Sequence, residues 1–200
     1  MIEITTLEVA GISSALRAMR NPLDSWSRSD SYNDAFRNVC IVGDVDKDLS
    51  IRLQKAGPEH CKHLRMVMVW ADINAPLYWW KEADTYRAGV EKVSCSTMHT
   101  ITKRPFTREI FSDGVDAETV AELERLRLTY LLTDDADDKK QLWRQIIARL
   151  PSAFMQKRTV MFSYAALRSI YRQREGHKLE EWQAFREWCE RLPKSWMITE

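Results

Sequence analysis

The sequence predicts an α+β fold, because segments with the apolar spacing of helices accompany a few segments that alternate like strands. Hydrophobic residues make up 44% of the 200 residues and charged residues 30%, a balance typical of a globular protein with its own core. The length suits one domain, and the sequence contains neither an internal repeat nor a linker. We therefore expect a single domain over residues 1–200.

The first half of the chain is predicted to hold its strands. β-Branched residues or period-two alternation mark strands at residues 2–9, 40–42 and 64–73. Apolar residues at helical spacing predict helices at residues 12–19, 48–55 and 76–89, the last opened by Ala75-Pro76 and ended by Gly89. The polar segments at residues 23–34 and 93–102 are predicted to be loops, and the first is long enough to have a function.

The second half of the chain is predicted to hold four helices. Helices are expected at residues 116–133, 139–150, 156–174 and 178–191. In the third of these, Val160, Tyr164, Leu167 and Tyr171 form the apolar stripe. In the last, we expect Trp182, Phe185 and Trp188 to face the core.

Composition excludes several classes of protein. The net charge of +1 argues against a protein whose main function is to bind duplex nucleic acid along its phosphates. No apolar run approaches the ~20 residues that a membrane span needs. The N-terminal segment lacks the pattern of a secretory signal, so we expect a cytoplasmic protein. The four cysteines form no CxxC pair, which argues against a zinc ribbon, and we expect free thiols. Eight tryptophans are enough to fill a core and also line a pocket for a flat ring.

One candidate patch lies in residues 76–96. Arg87 is followed by Ser94 and Ser96, and an arginine with hydroxyl groups is suitable chemistry for a phosphate. The plainer interpretation is that Lys81 and Glu82 are solvated and that Arg87 caps a helix dipole. From the residues alone we prefer the plainer interpretation.

Two further patches contain cations and histidines. Arg168, Arg172, Arg174 and His177 could hold an anionic ligand, or could be an exposed basic helix end. His60 and His63 are three residues apart, but no further metal ligand stands at zinc-like spacing. We therefore predict no metal site and consider contact with a ligand ring the better interpretation of these histidines.

In their order along the chain, these patches resemble the flavin-dependent thymidylate synthases. That family has a helix ending in Gly-His, a strand, an Ala-Pro helix start, and then Arg-Gln-Trp followed by Arg-His-Arg-x-x-Ser. Here Ala75-Pro76 opens the helix, and Thr85-Tyr86-Arg87 stands where Arg-His-Arg is expected, with Arg87 alone unchanged. The family's Arg-Gln-Trp is expected where this chain has Trp79-Trp80-Lys81-Glu82. Its Gly-His is expected where this chain has Gly57-Pro58-Glu59-His60. The resemblance covers residues 45–190, with few identical positions.

The resemblance implies a small, twisted, mainly antiparallel sheet with several long helices, in a homotetramer whose sites lie between subunits. It also implies reductive methylation of dUMP or a related pyrimidine nucleotide, with FAD as cofactor and NADPH and methylenetetrahydrofolate as co-substrates. Arg174 would polarise the uracil as the catalytic residue. The substrate-binding residues would be Glu82, Arg87, Ser94, Ser96, Arg168 and Arg174, and the cofactor-binding residues His60, Arg87 and His177.

Three hypotheses about function remain open at this point. The first is an enzyme of the thymidylate synthase type. The second is a non-catalytic nucleotide-binding protein on the same fold, such as a phage protein that sequesters a nucleotide signal. The third is a structural protein in which all the tryptophans are core.

Overall fold

The computed structural model describes residues 2–37 and 39–200, which form six strands and nine helices. The strands are β1 (Glu3–Ala10), β2 (Tyr32–Asp34), β3 (Val39–Ile41), β4 (Met68–Pro76), β5 (Val90–Ser94) and β6 (Met155–Ser163). The helices are α1 (Ile12–Ala18), α2 (Asp44–Ala56), α3 (Leu77–Ala83), α4 (Thr97–Thr100), α5 (Ala117–Leu132), α6 (Ala136–Arg149), α7 (Tyr164–Gln173), α8 (Glu180–Glu190) and α9 (Trp196–Thr199). None of the helices in these residues is both long and apolar enough to cross a membrane.

The predicted α+β class, with an antiparallel sheet and several helices, is confirmed. Four strands form one sheet in the order β1-β4-β6-β5. Strands β2 and β3 form a separate antiparallel pair in which Tyr32 lies opposite Ile41 and Asp34 opposite Val39.

The helix predicted at residues 156–174 is wrong in its first half. Residues 155–163 form β6, and α7 begins only at Tyr164. Val160 and Phe162, two residues apart, are both buried, which is the period of a strand. Ser163 ends the strand and caps the helix, since its hydroxyl accepts a hydrogen bond from the backbone N–H of Ala166 at 3.2 Å.

Other boundaries also differ from the prediction. The helix that follows Pro76 ends at Ala83 rather than at Gly89, and the segment 93–102 contains part of β5 and the short helix α4 in place of a loop. The strand expected at 64–73 begins at Met68, after a 3-10 turn over residues 62–66. The loop expected at 23–34 ends in strand β2.

The described chain divides into two compact units, each built from separate segments. The first unit comprises residues 2–3, Ile73–Thr85 and Val93–Thr159. Helices α5 and α6 pack together in this unit. Its apolar core contains Ile101, Phe106, Phe111, Leu123, Leu126 and Ile146.

The second unit comprises Ile4–Asp72, Tyr86–Lys92 and Val160–Glu200. Its aromatic core includes Phe162, Phe185 and Trp188, whose ring centroids lie 5.2–6.0 Å apart. Helix α7 packs against α9 and against the 3-10 turn at residues 62–66. The prediction of a single domain stays a prediction.

Candidate functional site

Arg174 lies at the centre of a cluster in the second unit. Its Nε donates a hydrogen bond to the Tyr86 hydroxyl oxygen at 2.8 Å. The guanidinium carbon stands 4.3 Å from the centroid of the Trp182 ring and 5.3 Å from that of Tyr86, both within cation–π range. The cluster therefore places a partly buried cation against two aromatic faces.

The local structure explains why these side chains meet. Arg174 follows the last residue of α7, and its backbone N–H donates to the Ile170 carbonyl at 2.9 Å. Gly176, at φ +63°, turns the chain back, so that α8 begins at Glu180 and carries the buried Trp182. Tyr86 meets Trp182 edge to face, with centroids 6.1 Å apart.

His177 belongs to the same cluster. Its backbone N–H donates to the Arg174 carbonyl at 3.3 Å, and its Nδ1 accepts from the Leu179 backbone N–H at 3.1 Å. Its ring centroid lies 6.2 Å from that of Trp182. The imidazole is thus held near the Trp182 ring, which the Arg174 guanidinium also contacts.

This arrangement suits a flat, oxygen-bearing ligand. A guanidinium carries planar donors that match carbonyl and phosphate oxygens, and an aromatic face offers a stacking surface. A pyrimidine nucleotide has both features, since its ring carries carbonyl oxygens and its ribose carries a phosphate.

Of the other predicted residues in this unit, two are exposed. Arg87 directly follows Tyr86 and lies in the turn before β5, not on a helix as the sequence predicted. His60 is exposed and stands 3.5 Å from the Glu59 carboxylate. A ligand can reach both side chains from solvent.

Arg168 is engaged in a different set of contacts. Its Nε donates to the Gln54 side-chain oxygen at 3.0 Å, and its terminal nitrogen donates to the main-chain oxygen of Glu200 at 2.8 Å. Arg172 donates to the same oxygen at 2.5 Å. Burial and the neighbouring Arg172 lower the pKa of Arg168. The sequence grouped Arg168 with Arg174, but Arg168 instead joins α7 to α2 and to the end of α9.

Three predicted substrate residues lie in the first unit. Glu82 is partly buried on α3, Ser94 is the exposed last residue of β5, and the Ser96 hydroxyl accepts from the His99 backbone N–H at 3.4 Å to cap α4. Ser96 therefore has a structural role in the chain as described.

The sequence interpretation missed Arg158 of this unit. The Arg158 guanidinium lies 4.2 Å above Trp80 and donates to the Asp84 carboxylate at 2.8 and 3.1 Å. It was missed because residue 158 was assigned to a helix, whereas strand β6 places it beside α3. No signal in the sequence indicates that Arg158 pairs with Asp84, because the two residues are 74 positions apart.

An open cleft of about 640 Å³ lies along α5 in the first unit. Its lining is mainly charged and includes Arg125 and Arg149, which both pair with Glu122. None of the residues predicted for the site lines it, and exposed ion pairs of this kind define no particular ligand.

His63 is buried, unlike His60. Its Nε2 lies 2.8 Å from the Ser50 hydroxyl, and burial lowers the pKa of His63 to about 4. Within residues 2–37 and 39–200, no group of three or more His, Cys, Asp or Glu side chains could hold a metal ion. His63 is thus a neutral core residue at physiological pH.

Comparisons with known proteins identify the fold. No family model matches the sequence, and no curated protein matches it. A crystal structure of Thymidylate Synthase X (ThyX) from Helicobacter pylori with FAD and dUMP is similar over 100% of this chain and 98% of its own, with a TM-score of 0.75 and 17% identity. A second structure of flavin-dependent thymidylate synthase ThyX from Helicobacter pylori, also with FAD and dUMP, gives a TM-score of 0.74, 19% identity and 98% coverage of each chain. The chain has a ThyX-like fold.

Proposed function

We propose that this protein binds a pyrimidine nucleotide of the dUMP type through Arg174. The observation that carries the proposal is the guanidinium held between the Tyr86 hydroxyl and the Trp182 face. Arg174 pairs with a carbonyl oxygen of the base, where negative charge develops if the ring is attacked or reduced. Support also comes from the neighbours of the same fold, whose structures hold dUMP.

The finer proposal is reductive methylation of that nucleotide, with FAD as cofactor and NADPH and methylenetetrahydrofolate as co-substrates. The donors of the second unit fit a flavin dinucleotide, because the exposed Arg87 and His60 suit a diphosphate and His177 lies beside an aromatic surface. A bound flavin supplies the hydride. The chain's own task is to orient the base with Arg174 and to bind phosphate with Arg87.

The proposal includes a cytoplasmic homotetramer in which copies of the chain complete each other's sites. Glu82, Ser94, Ser96 and Arg168 are the remaining substrate-binding residues of the proposal, and Arg168 also holds α7 in place through Gln54. No metal takes part in the proposed chemistry.

A second candidate is a nucleotide-binding protein without catalysis, of the kind that could sequester a nucleotide signal for a phage. One observation favours it. Tyr86 stands at the histidine of the family's Arg-His-Arg and holds Arg174 in a contact with the chain itself. A protein that only binds a nucleotide needs the Arg174 cation and the Trp182 ring face. It does not need the remaining residues of the family's Arg-His-Arg-x-x-Ser signature.

Analysis of the ligand that the purified protein releases on heating separates the two candidates. Released flavin, followed by conversion of dUMP to dTMP in the presence of NADPH and methylenetetrahydrofolate, supports the enzyme. A released nucleotide without flavin supports the binding protein. A colourless protein that releases nothing and ignores added dUMP and FAD contradicts both.

A further inference from the structure

We infer that Tyr86 is a positioning residue, whose hydroxyl orients the Arg174 guanidinium for the nucleotide of the proposed function, on which this inference rests. The contact over Trp182 sets how far the guanidinium stands from the ring, at 4.3 Å. The hydrogen bond from Nε to the Tyr86 hydroxyl is directional, so it orients the guanidinium relative to that ring.

Tyr86 is itself held from two sides. Its ring meets Trp182 edge to face at an angle of 74°, and its main-chain oxygen accepts a hydrogen bond from Lys92 Nζ at 3.2 Å. Because the ring is fixed, the position of its hydroxyl oxygen is fixed too. The Arg174 Nε–H therefore points in one direction, toward that oxygen. The bond joins residues 88 positions apart, and it ties the end of α7 to the segment before β5.

The energetic consequence follows from the cost of ordering an arginine. A free guanidinium loses rotamer entropy when it binds a ligand, and a preoriented one has already lost it. A hydrogen bond from a charged donor is strong enough that its loss should weaken nucleotide binding about tenfold. A purely structural role would lower the stability of the fold and leave the affinity for nucleotide unchanged.

Tyr86→Phe tests the inference, because it removes the hydroxyl and keeps the ring. Tyr171→Phe is the matched control, since it removes the hydroxyl that donates to Glu190 at 2.7 Å, also from the second unit. Calorimetric titration of the full chain with dUMP should show about tenfold weaker binding for Tyr86→Phe and no change for Tyr171→Phe. In an Arg174→Ala background, Tyr86→Phe should have no further effect.

Nuclear magnetic resonance of the ligand-free protein gives a second readout. The Nε–H signal of Arg174, assigned by its loss in Arg174→Ala, should exchange slowly with solvent in the wild type and in Tyr171→Phe, and rapidly in Tyr86→Phe. Equal exchange in all three, or equal affinity of Tyr86→Phe and wild type for dUMP, overturns the inference. A wild-type protein that does not bind dUMP contradicts the proposed function instead, while the exchange comparison still decides whether Tyr86 orients Arg174.

Discussion

Arg20 and Asp46 form an ion pair that is almost fully buried, with side chains 3% and 0% exposed. Asp46 also accepts hydrogen bonds from the Ser29 hydroxyl at 2.6 Å and from the Ser31 backbone N–H at 3.1 Å. Burial alone would raise the pKa of Asp46, but these partners and Arg20 hold that pKa below its usual value. The carboxylate thereby fastens the segment 21–31 to the start of α2.

Asp46→Ala should therefore lower the free energy of unfolding by about 3–5 kcal/mol, because it leaves the Arg20 guanidinium buried without a counter-charge. Urea denaturation measures the change. Glu187→Ala is the control, since its pair with Arg191 is two-thirds exposed and 4.0 Å long. Similar losses in the two variants would contradict the structural role of Asp46.

The burial of His63 should make the free energy of unfolding depend on pH. Its pKa is about 4 in the folded protein and 6.5 ordinarily, because burial disfavours the charged ring. Below the ordinary value, the unfolded chain takes up a proton that the folded chain does not, so stability falls as pH falls. From about pH 7.5 to about pH 5, this histidine should remove about 2 kcal/mol of unfolding free energy.

Urea denaturation at both pH values checks this prediction. His63→Gln should show a smaller loss of stability on acidification than the wild type, whereas His99→Gln, at an exposed position, should behave like the wild type. If wild type and His63→Gln lose the same amount, His63 is not the group responsible.

Gly89 allows the turn before β5 to approach the start of α7. Its φ is +71°, and a β-carbon there would lie 2.4 Å from the Ser163 hydroxyl oxygen. That hydroxyl caps α7, and the Ser163 backbone N–H donates to the Gly89 carbonyl at 2.8 Å. A side chain at residue 89 would both strain the backbone and displace the cap.

Gly89→Ala should thus cost about 2 kcal/mol of stability, roughly half from the positive φ and half from the lost cap. Gly176→Ala is the matched control, since Gly176 also has a positive φ, +63°, but nothing lies within 4 Å of its added β-carbon. It should cost only about 1 kcal/mol. Thermal or urea unfolding compares the two, and equal losses would show that the contact with Ser163 is unimportant.

The elements that could be predicted from the sequence are those whose own residues carry the pattern. Helix α8 is one, because Trp182, Phe185 and Trp188 are all buried at helical spacing. Strand β5 could not be predicted, since it is an edge strand with one buried residue in five and so lacks an apolar alternation. Strand β6 could not be distinguished from a helix in the sequence. Val160 is buried in the strand but also fits the helical spacing of the apolar residues in α7.

The candidate site could be predicted from the sequence only in part. Arg174 and His177 could be grouped from the sequence because they are three positions apart, and both side chains lie near Trp182. The Tyr86 contact depends on a tertiary fold that brings together residues 88 positions apart. For the same reason, the sequence could not show that Arg168 is directed to Gln54, 114 positions away.

The proposed tetramer is also a property of the whole molecule. Four copies of a 23.5 kDa chain should sediment as a particle of about 94 kDa. Analytical ultracentrifugation at several protein concentrations measures this mass. A particle with the mass of a single chain at every concentration would contradict the proposal that copies complete each other's sites.

Arg174 is the residue on which the proposed binding of a pyrimidine nucleotide depends most. Titration of the wild-type protein and Arg174→Ala with dUMP tests it directly, with Arg52→Ala, at an exposed position on α2, as the control. We predict that wild type and Arg52→Ala bind dUMP alike and that Arg174→Ala binds at least about tenfold more weakly. Equal binding by all three proteins, or no binding by the wild type, would contradict the claim.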